Sequence, residues 1–299
     1  MAFSIQPVLE AIERGNHEWL LSQPQPPIIQ WRSKDRKASI LHHLARHGRP
    51  DPEVLDWILQ GGLHIDVEDG KGASPLLGIY ERPEESSLQW MKLLLSRGAS
   101  VDKHDHEYTT TLGNAAEKRS WLCVHYALSQ GARRWIPGSM WENSLEGRIA
   151  SAMPEKLGAN AIEPMQDINR AFTPSKDDHT RGLFMSLQQG HWRMAQFYLE
   201  QGADALAQTP TKSTSLHMVA LGCSIGSATQ KEDNAMVTQL ASLGVNPHAL
   251  NEIGVSCDAY IRELPDVIGH FNVALAMGLA RYLETQSPRP HARTRSRRM

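Results

Sequence analysis

The chain has 299 residues, of which 40% are apolar and 21% charged, and a formal net charge of −2. This length supplies ample apolar surface for a buried core, so folding requires neither disulfides nor a structural metal. Because the net charge is close to zero, it does not point to any particular class of partner.

The cysteines and the N-terminus bear on location. Cys123, Cys223 and Cys257 are too few and too widely spaced for a disulfide framework or a Cys-x-x-Cys metal site, which indicates a reducing cytosol. Glu10 and Glu13 lie where a signal peptide would be apolar. We therefore expect a cytoplasmic protein with neither a signal peptide nor a membrane span. Export by a route that reads no cleavable signal is the alternative.

Helix-prone stretches follow one another along the chain. Residues 8–23 predict two short helices joined at Gly15 and Asn16. Five later apolar stretches each end in glycine followed by a small or apolar residue, at Gly62, Gly98, Gly131, Gly202 and Gly244. The intervals of 36, 33, 71 and 42 residues predict a repeated unit of about 33 residues with insertions.

The register around each glycine is shared. Apolar pairs lie three and four residues before it, among them Leu94 with Leu95 and Tyr198 with Leu199. Such pairs predict burial between neighbouring helices. The glycine fits the position just past a helix end, where the chain adopts positive φ.

A second string recurs upstream of these helices. It contains Ser or Thr, a spacer, Leu and then small or apolar residues, as in ASILHHLA (38–45), ASPLLGIY (73–80), TTTLGNAA (109–116) and TSLHMVAL (214–221). With the glycine exits, it resembles the ankyrin-repeat family, whose units open with Thr-Pro-Leu-His and end in a Gly-Ala-Asp finger. The resemblance implies an all-α solenoid of about six to seven stacked helix-turn-helix units with hairpin fingers. In each unit the Ser or Thr hydroxyl would cap the first helix and the Leu would point into the stack. It also implies that the histidine at position 42 makes a structural hydrogen bond between repeats.

The expected organisation has four parts. Residues 1–135 form an N-terminal ankyrin-repeat block with a capping repeat, and residues 180–286 form a C-terminal block. The pattern weakens over 136–179, which is either an aberrant repeat within a continuous stack or a helical spacer. Residues 287–299 contain five arginines and no acid, so we expect a disordered basic tail that makes at most weak contact with nucleic acid.

One string resembles an enzyme motif. Residues 222–226, GCSIG, match the Gly-x-Ser-x-Gly elbow of serine hydrolases, with Ser224 as nucleophile. Asp258 or Asp266 and His270 follow in hydrolase order. The elbow needs a strand before it, whereas residues 216–221 fit the first helix of a repeat. We therefore expect a non-enzymatic protein with no cofactor and no small-molecule substrate, and keep a serine hydrolase as the alternative.

Two histidine pairs have spacings that can bind metal. His43 and His47 lie four apart on one helical face. Along the finger DKHDHEY (102–108), alternation predicts His104 and His106 on one face and Asp105 with Glu107 on the other. Two ligands do not complete a site. We expect no bound metal and favour a finger used for contact.

The sequence predicts a protein that binds one protein partner through its concave face and fingers, as a stoichiometric inhibitor, an immunity-type protein or an adaptor. A bacterial effector that engages a host protein is the alternative. The expected contact residues are Asp66, Glu68, His104, His106, Tyr108, Arg133, Arg134 and Trp135. Arg and Trp are enriched at binding hot spots. We expect charge reversal or alanine at the two arginines and Trp135 to abolish partner capture without changing thermal unfolding.

Overall fold

The computed structural model describes residues 4–152, 162–225, 230–262 and 264–286. They group into two compact units, one of residues 4–152 with 162–174 and one beginning at Ser175. The described residues contain helices and three isolated antiparallel bridges, but no extended strand. The tail at 287–299 and residues 153–161 of the middle segment lie outside the described residues.

The first unit consists of short helices in pairs. They are α1 (Gln6–Arg14), α2 (His17–Leu21), α3 (Gln25–Gln30), α4 (Ile40–His47), α5 (Pro52–Gln60), α6 (Glu84–Ser96), α7 (Thr111–Glu117), α8 (Trp121–Ser129), α9 (Leu145–Ser151) and α10 (Ile162–Ala171), with 3₁₀ helices Pro75–Glu81 and Trp141–Asn143. Helix α4 packs on Pro75–Glu81, and α7 packs on both α8 and α9. Successive inner helices therefore stack, and the middle segment supplies one of them.

The second unit repeats this scheme with longer helices. They are α11 (Lys176–Gln188), α12 (Trp192–Glu200), α13 (Ser215–Ile225), α14 (Gln230–Ser242) and α15 (Pro265–Gln286), with a 3₁₀ helix at Cys257–Ile261. Helix α11 packs on α12 and α13, and α14 packs on α15. Close approach is required at Gly278, where a Cβ would come within 2.5 Å of the Thr238 carbonyl oxygen.

The repeat glycines take the conformation that the sequence predicts. All five have φ between 84° and 94°, at Gly62, Gly98, Gly131, Gly202 and Gly244. At Gly98 and Gly202 an added Cβ would meet nothing within 4 Å. These two glycines are thus required by backbone conformation and not by lack of space.

The Ser/Thr-x-Leu strings form the inner helix starts. The Thr110 hydroxyl accepts a hydrogen bond from the Gly113 backbone N–H at 3.0 Å, as expected of an N-cap. The leucines of the four strings are fully buried or nearly so, namely Leu41, Leu76, Leu112 and Leu216. The predicted inward-pointing leucines are confirmed.

The motif histidine joins neighbouring repeats in both units. His42 Nδ1 accepts the Ser39 backbone N–H at 3.1 Å, and its Nε2 donates to the Ala73 carbonyl at 2.9 Å. His217 bonds in the same way to the backbone N–H of Thr214 and the carbonyl of Val255. An acceptor role for Nδ1 requires the proton on Nε2, so both rings are neutral in this arrangement. The expected inter-repeat bond of His42 is confirmed.

Candidate functional site

Four of the fingers share one turn. In each, the N–H of the fourth turn residue donates to the carbonyl of the first, over 69–72, 105–108, 209–212 and 251–254. A side-chain oxygen of the first residue also accepts backbone N–H groups; Asp105 Oδ1, for example, accepts those of Glu107 and Thr109. This is the Asx turn that Asp and Asn favour.

The fourth turn residue has positive φ in each case. Glycine occupies this position at 72 and 254, where φ is 78° and 76°. Lys212 and Tyr108 occupy it in the other two turns, with φ of 57° and 59°. A bulky aromatic residue in this conformation carries backbone strain of about 1 kcal/mol or more. Tyr108 therefore stands where the fold prefers glycine.

A groove of about 500 Å³ lies in the first unit, between the fingers that contain the turns 69–72 and 105–108. We call it the finger groove; it is lined by Glu68, Gly72, Ser100, Asp102, Lys103, His104, Asp105, His106 and Tyr108. Four of the eight expected contact residues are in this lining. The structure thus brings together residues that lie up to 40 positions apart in the sequence.

Aromatic rings form one wall of the finger groove. The His104 and Tyr108 rings stack with centroids 4.9 Å apart, and the Tyr108 side chain is exposed. The His106 backbone N–H donates to the Lys71 carbonyl at 3.0 Å, and its ring lies against Gly72, where a Cβ would come within 2.6 Å of it. The His106 ring is thus placed by a backbone hydrogen bond to the neighbouring finger, and the Tyr108 ring by its stack on His104.

Predicted alternation along the finger is only partly observed. We expected His104 and His106 on one face and Asp105 with Glu107 on the other. Both histidines do line the groove, but Asp105 lines it as well. The reason is that residues 105–108 form a turn, in which the two-residue period of a strand does not hold.

Acidic residues of one finger bind the next finger. The Asp66 carboxylate accepts the Ser100 backbone N–H at 3.0 Å, and Glu68 pairs with the Lys103 ammonium. The hydrogen bond from Lys103 lowers the pKa of the exposed Glu68 carboxyl. Asp66 is therefore a linker between fingers, whereas Glu68 with Lys103 forms a polar rim on the groove.

Comparison with known proteins bears on the fold. No family model matches the chain. Among solved structures, the ankyrin repeat domain of human ASB11 superimposes with a TM-score of 0.52 at 20% identity, covering 79% of this chain and 98% of that domain. The chain has the ankyrin-repeat fold. The predicted all-α ankyrin-repeat architecture is confirmed.

Other matches have lower coverage or likeness. The ankyrin repeat domain of Bcl-3 gives a TM-score of 0.47 at 19% identity over 89% of this chain and 97% of that one. The human ankyrin repeat domain-containing protein SOWAHD is 26% identical over 180 residues, 57% of this chain and 56% of that protein. CRISPR-associated protein CasA/Cse1 of Thermus thermophilus is 28% identical over 186 residues, 56% of this chain and 36% of that protein. The chain thus spans about a third to a half of these curated relatives.

The two adjacent arginines of the ankyrin-repeat finger after Gly131 differ in environment. The Arg133 side chain is 66% exposed, and its Nε lies 3.4 Å from Asp102 Oδ2. Arg134 is buried: its Nη1 lies 2.7 Å from Glu146 Oε1, and its Nη2 donates to the Phe172 carbonyl at 2.8 Å. Arg134 therefore anchors the finger to α9 and to the residue after α10, and it is not an accessible contact residue.

This burial corrects one expectation. Alanine at Arg134 would remove the buried ion pair with Glu146, so we expect thermal unfolding to change. Trp135 is half-buried and lies outside the finger-groove lining. Among the expected contact residues, those of the groove and Arg133 retain an accessible position.

Sequence reasoning missed several groove residues. Asp102, Lys103 and Asp105 line the groove although none of them is among the expected contact residues. A signal was present, since Asp69 and Asp105 lie 36 residues apart, which is the repeat interval between Gly62 and Gly98. Aligning the two fingers position by position makes Tyr108 the equivalent of Gly72.

The two histidine pairs with metal-binding spacing do not belong to a larger ligand group among the described residues. In the described part of the chain, no group of three or more His, Cys, Asp or Glu side chains is arranged to hold a metal ion. The His43 and His47 rings contact each other at 4.7 Å, and His43 lies 3.4 Å from Glu13. Burial lowers the pKa of both rings.

Residues 222–225 of the hydrolase string lie in a helix. Residues 215–225 form α13, so the strand that an elbow needs is replaced by helix. Gly222 has a packing role, because a Cβ there would come within 2.2 Å of the Leu187 carbonyl oxygen. The side chain of Ser224 and residue 226 lie outside what the structure describes.

Across the described ranges, no helix combines the length and apolarity needed to cross a bilayer.

Proposed function

We propose that this ankyrin-repeat chain binds a specific protein partner through the finger groove of its first unit. The observation that carries the proposal is Tyr108. Its ring is exposed and stacked on His104, and its backbone has the positive φ that two other fingers assign to glycine. Strain retained at an exposed aromatic residue suits a binding role, since the fold alone is better served by glycine.

The groove has the composition of a recognition surface. Its aromatic wall offers apolar area at low entropic cost, and Glu68, Lys103 and the nearby Arg133 provide charged groups at the rim. The wall is ordered by hydrogen bonds between successive fingers. A preorganised surface loses less entropy on association, which favours specific binding.

The test compares Tyr108→Gly with Lys212→Gly. Both substitutions put glycine at the same position of a finger turn, but only the first removes a ring from the groove. A partner is first captured with the wild-type chain and identified by mass spectrometry, and its affinity for each variant is then measured by calorimetry. We expect Tyr108→Gly to weaken binding by about 2 kcal/mol, roughly thirtyfold, and Lys212→Gly to leave it unchanged.

Folding effects are separated in the same experiment. Relief of strain and the greater entropy of unfolded glycine oppose each other, so the free energy of unfolding should change by less than about 1 kcal/mol in either variant. Unchanged affinity of Tyr108→Gly, or an equal loss in Lys212→Gly, would contradict the proposal.

The proposed role is that of a binder without chemistry of its own, in the cytoplasm. Its three cysteines are free and buried, and burial raises the pKa of Cys123 and Cys223 to about 12, so these thiols stay protonated. A stoichiometric inhibitor or immunity-type protein should abolish its partner's activity at a 1:1 ratio. An adaptor, or an effector that recruits a host protein, should leave that activity intact, and titration of the captured partner decides between them.

A further inference from the structure

A second cavity of the first unit lies beneath the fingers, against the inner helices. We call it the inner pocket; its volume is about 270 Å³. Its lining consists of Arg36, His42, Arg46, Asp69, Lys71, Ala73, Ser74, Leu77, Gly78, Tyr80, Glu81, Asp105, Thr109, Asn114 and Lys118. Polar and charged residues dominate, which distinguishes it from a packing defect.

Four cations surround the inner pocket. The Arg46 guanidinium lies over Gly78, about 3.8 Å from where a Cβ would be, and 3.5 Å from a Glu81 oxygen. Arg36, Lys71 and Lys118 are exposed at the rim, and none of the three forms an ion pair with another described residue. The lining as a whole holds these four cations and three carboxylates, so it carries one more positive than negative charge.

The carboxylates of the inner pocket are already engaged. Asp69 Oδ1 accepts the backbone N–H groups of Lys71 and Ala73, and Asp105 Oδ1 accepts those of its own turn. Glu81 pairs with Arg46. His42 adds no charge, because burial lowers its pKa and its Nδ1 is an acceptor.

Two hydroxyl groups of the lining have no partner. Ser74 Oγ and Tyr80 Oη are buried and form no hydrogen bond within the described residues. In the repeats that begin at Ser39 and Thr214, the equivalent hydroxyl bonds to the motif histidine. Leu77 replaces that histidine after Ser74, so this hydroxyl is left available. Buried polar groups without partners are rare and are often satisfied by a ligand or water.

We propose that the inner pocket binds a carboxylate side chain from an acidic segment of the protein partner. This rests on the proposed function and names the chemistry of the partner. A carboxylate is monoanionic and accepts hydrogen bonds from ammonium, guanidinium and hydroxyl groups. A phosphate monoester carries a charge of about −1.5 to −2 at pH 7, so it meets stronger repulsion from Asp69 and Asp105 than a carboxylate does.

The test uses the full chain and a fluorescein-labelled hexaglutamate peptide, followed by fluorescence anisotropy at low salt. The double variant Lys71→Glu/Lys118→Glu reverses the two rim lysines. We expect saturable binding to the wild type and at least about tenfold weaker binding to this variant. The matched control is Lys212→Glu/Lys231→Glu, which makes the same change in net charge on exposed residues of the second unit and should bind within about twofold of wild type.

Several results would overturn the inference. These are no saturable binding, equal weakening in both double variants, or displacement of the peptide by inorganic phosphate at lower concentration than by acetate. Tyr108→Gly should retain peptide binding, since Tyr108 lies outside the inner-pocket lining. If the peptide fails to bind while Tyr108→Gly still loses the captured partner, the inner-pocket assignment fails and the proposed function stands.

Discussion

The fingers of the two units have one backbone and different surfaces. The turns that begin at Asp105 and Asn251 make the same hydrogen bonds, with the side-chain oxygen accepting N–H groups two and four residues ahead. The first unit presents charged and aromatic side chains from these fingers. The second presents exposed apolar ones, with Leu206 at 59%, Leu250 at 57% and Ile253 at 79% exposure.

This difference shows where the fold leaves freedom to the sequence. Geometry is fixed by one Asp, Asn or Thr at the start of the turn and by the positive φ at its end. Side chains between these positions make few contacts that the turn requires. Recognition chemistry can thus differ between units while the scaffold stays the same, which is the expected behaviour of repeat proteins.

The largest expected effect is on the free energy of unfolding. It distinguishes Arg134, which holds its finger to the fold, from Arg133, which lies at the surface. Arg134→Ala should lower the free energy of unfolding by about 3–5 kcal/mol, because it breaks a buried ion pair with Glu146 and removes the donor to the Phe172 carbonyl. Urea denaturation monitored by tryptophan fluorescence measures this loss.

Arg133→Ala is the control for this prediction. Its side chain is 66% exposed, and an exposed ion pair contributes about 0–1 kcal/mol. Similar unfolding free energies for the two variants would show that Arg134 is not an anchor, and the distinction between anchoring and surface charges would then fail.

A second prediction concerns acid and the first unit. Burial is the main cause that lowers the pKa of His42, His43 and His47 in α4, from an ordinary value of 6.5. Each folded pKa lies below its unfolded value, so the unfolded chain binds more protons as the pH falls below about 6.5. Stability should therefore be fully present above that pH and decrease as the pH falls through 6.5 toward the folded values.

Denaturation midpoints between pH 7.5 and pH 5.5 measure this dependence. The variant His43→Gln/His47→Gln should lose less stability over the interval than the wild type, because two rings whose pKa is lowered by burial are gone. His248→Gln, at an exposed site in the second unit, is the control and should follow the wild type. An unchanged dependence in the double variant would rule out these rings as the source.

Local signals allowed the scaffold to be predicted from the sequence. The glycine exits, the Ser/Thr caps and the inward leucines follow from requirements within a few residues of each position, and the structure has them there. Burial of Arg134 was missed because its partners lie 12, 35 and 38 residues away. The positive φ of Tyr108 was missed because an aromatic side chain normally argues against that conformation.

The smallest effect tests whether the scaffold is equivalent in both units. Gly98→Ala and Gly202→Ala should each cost about 1 kcal/mol, since φ is 88° and 86° and an added Cβ meets nothing within 4 Å. Gly269→Ala is the matched control, for which we expect an effect of the opposite sign. This glycine lies inside α15 with open space at its Cβ, so alanine should stabilise the chain by about 0.5–1 kcal/mol through helix propensity. The effect of a glycine-to-alanine substitution on stability thus changes sign with backbone conformation alone. If Gly98→Ala and Gly202→Ala differ in cost, the same glycine conformation does not carry equal strain in the two units.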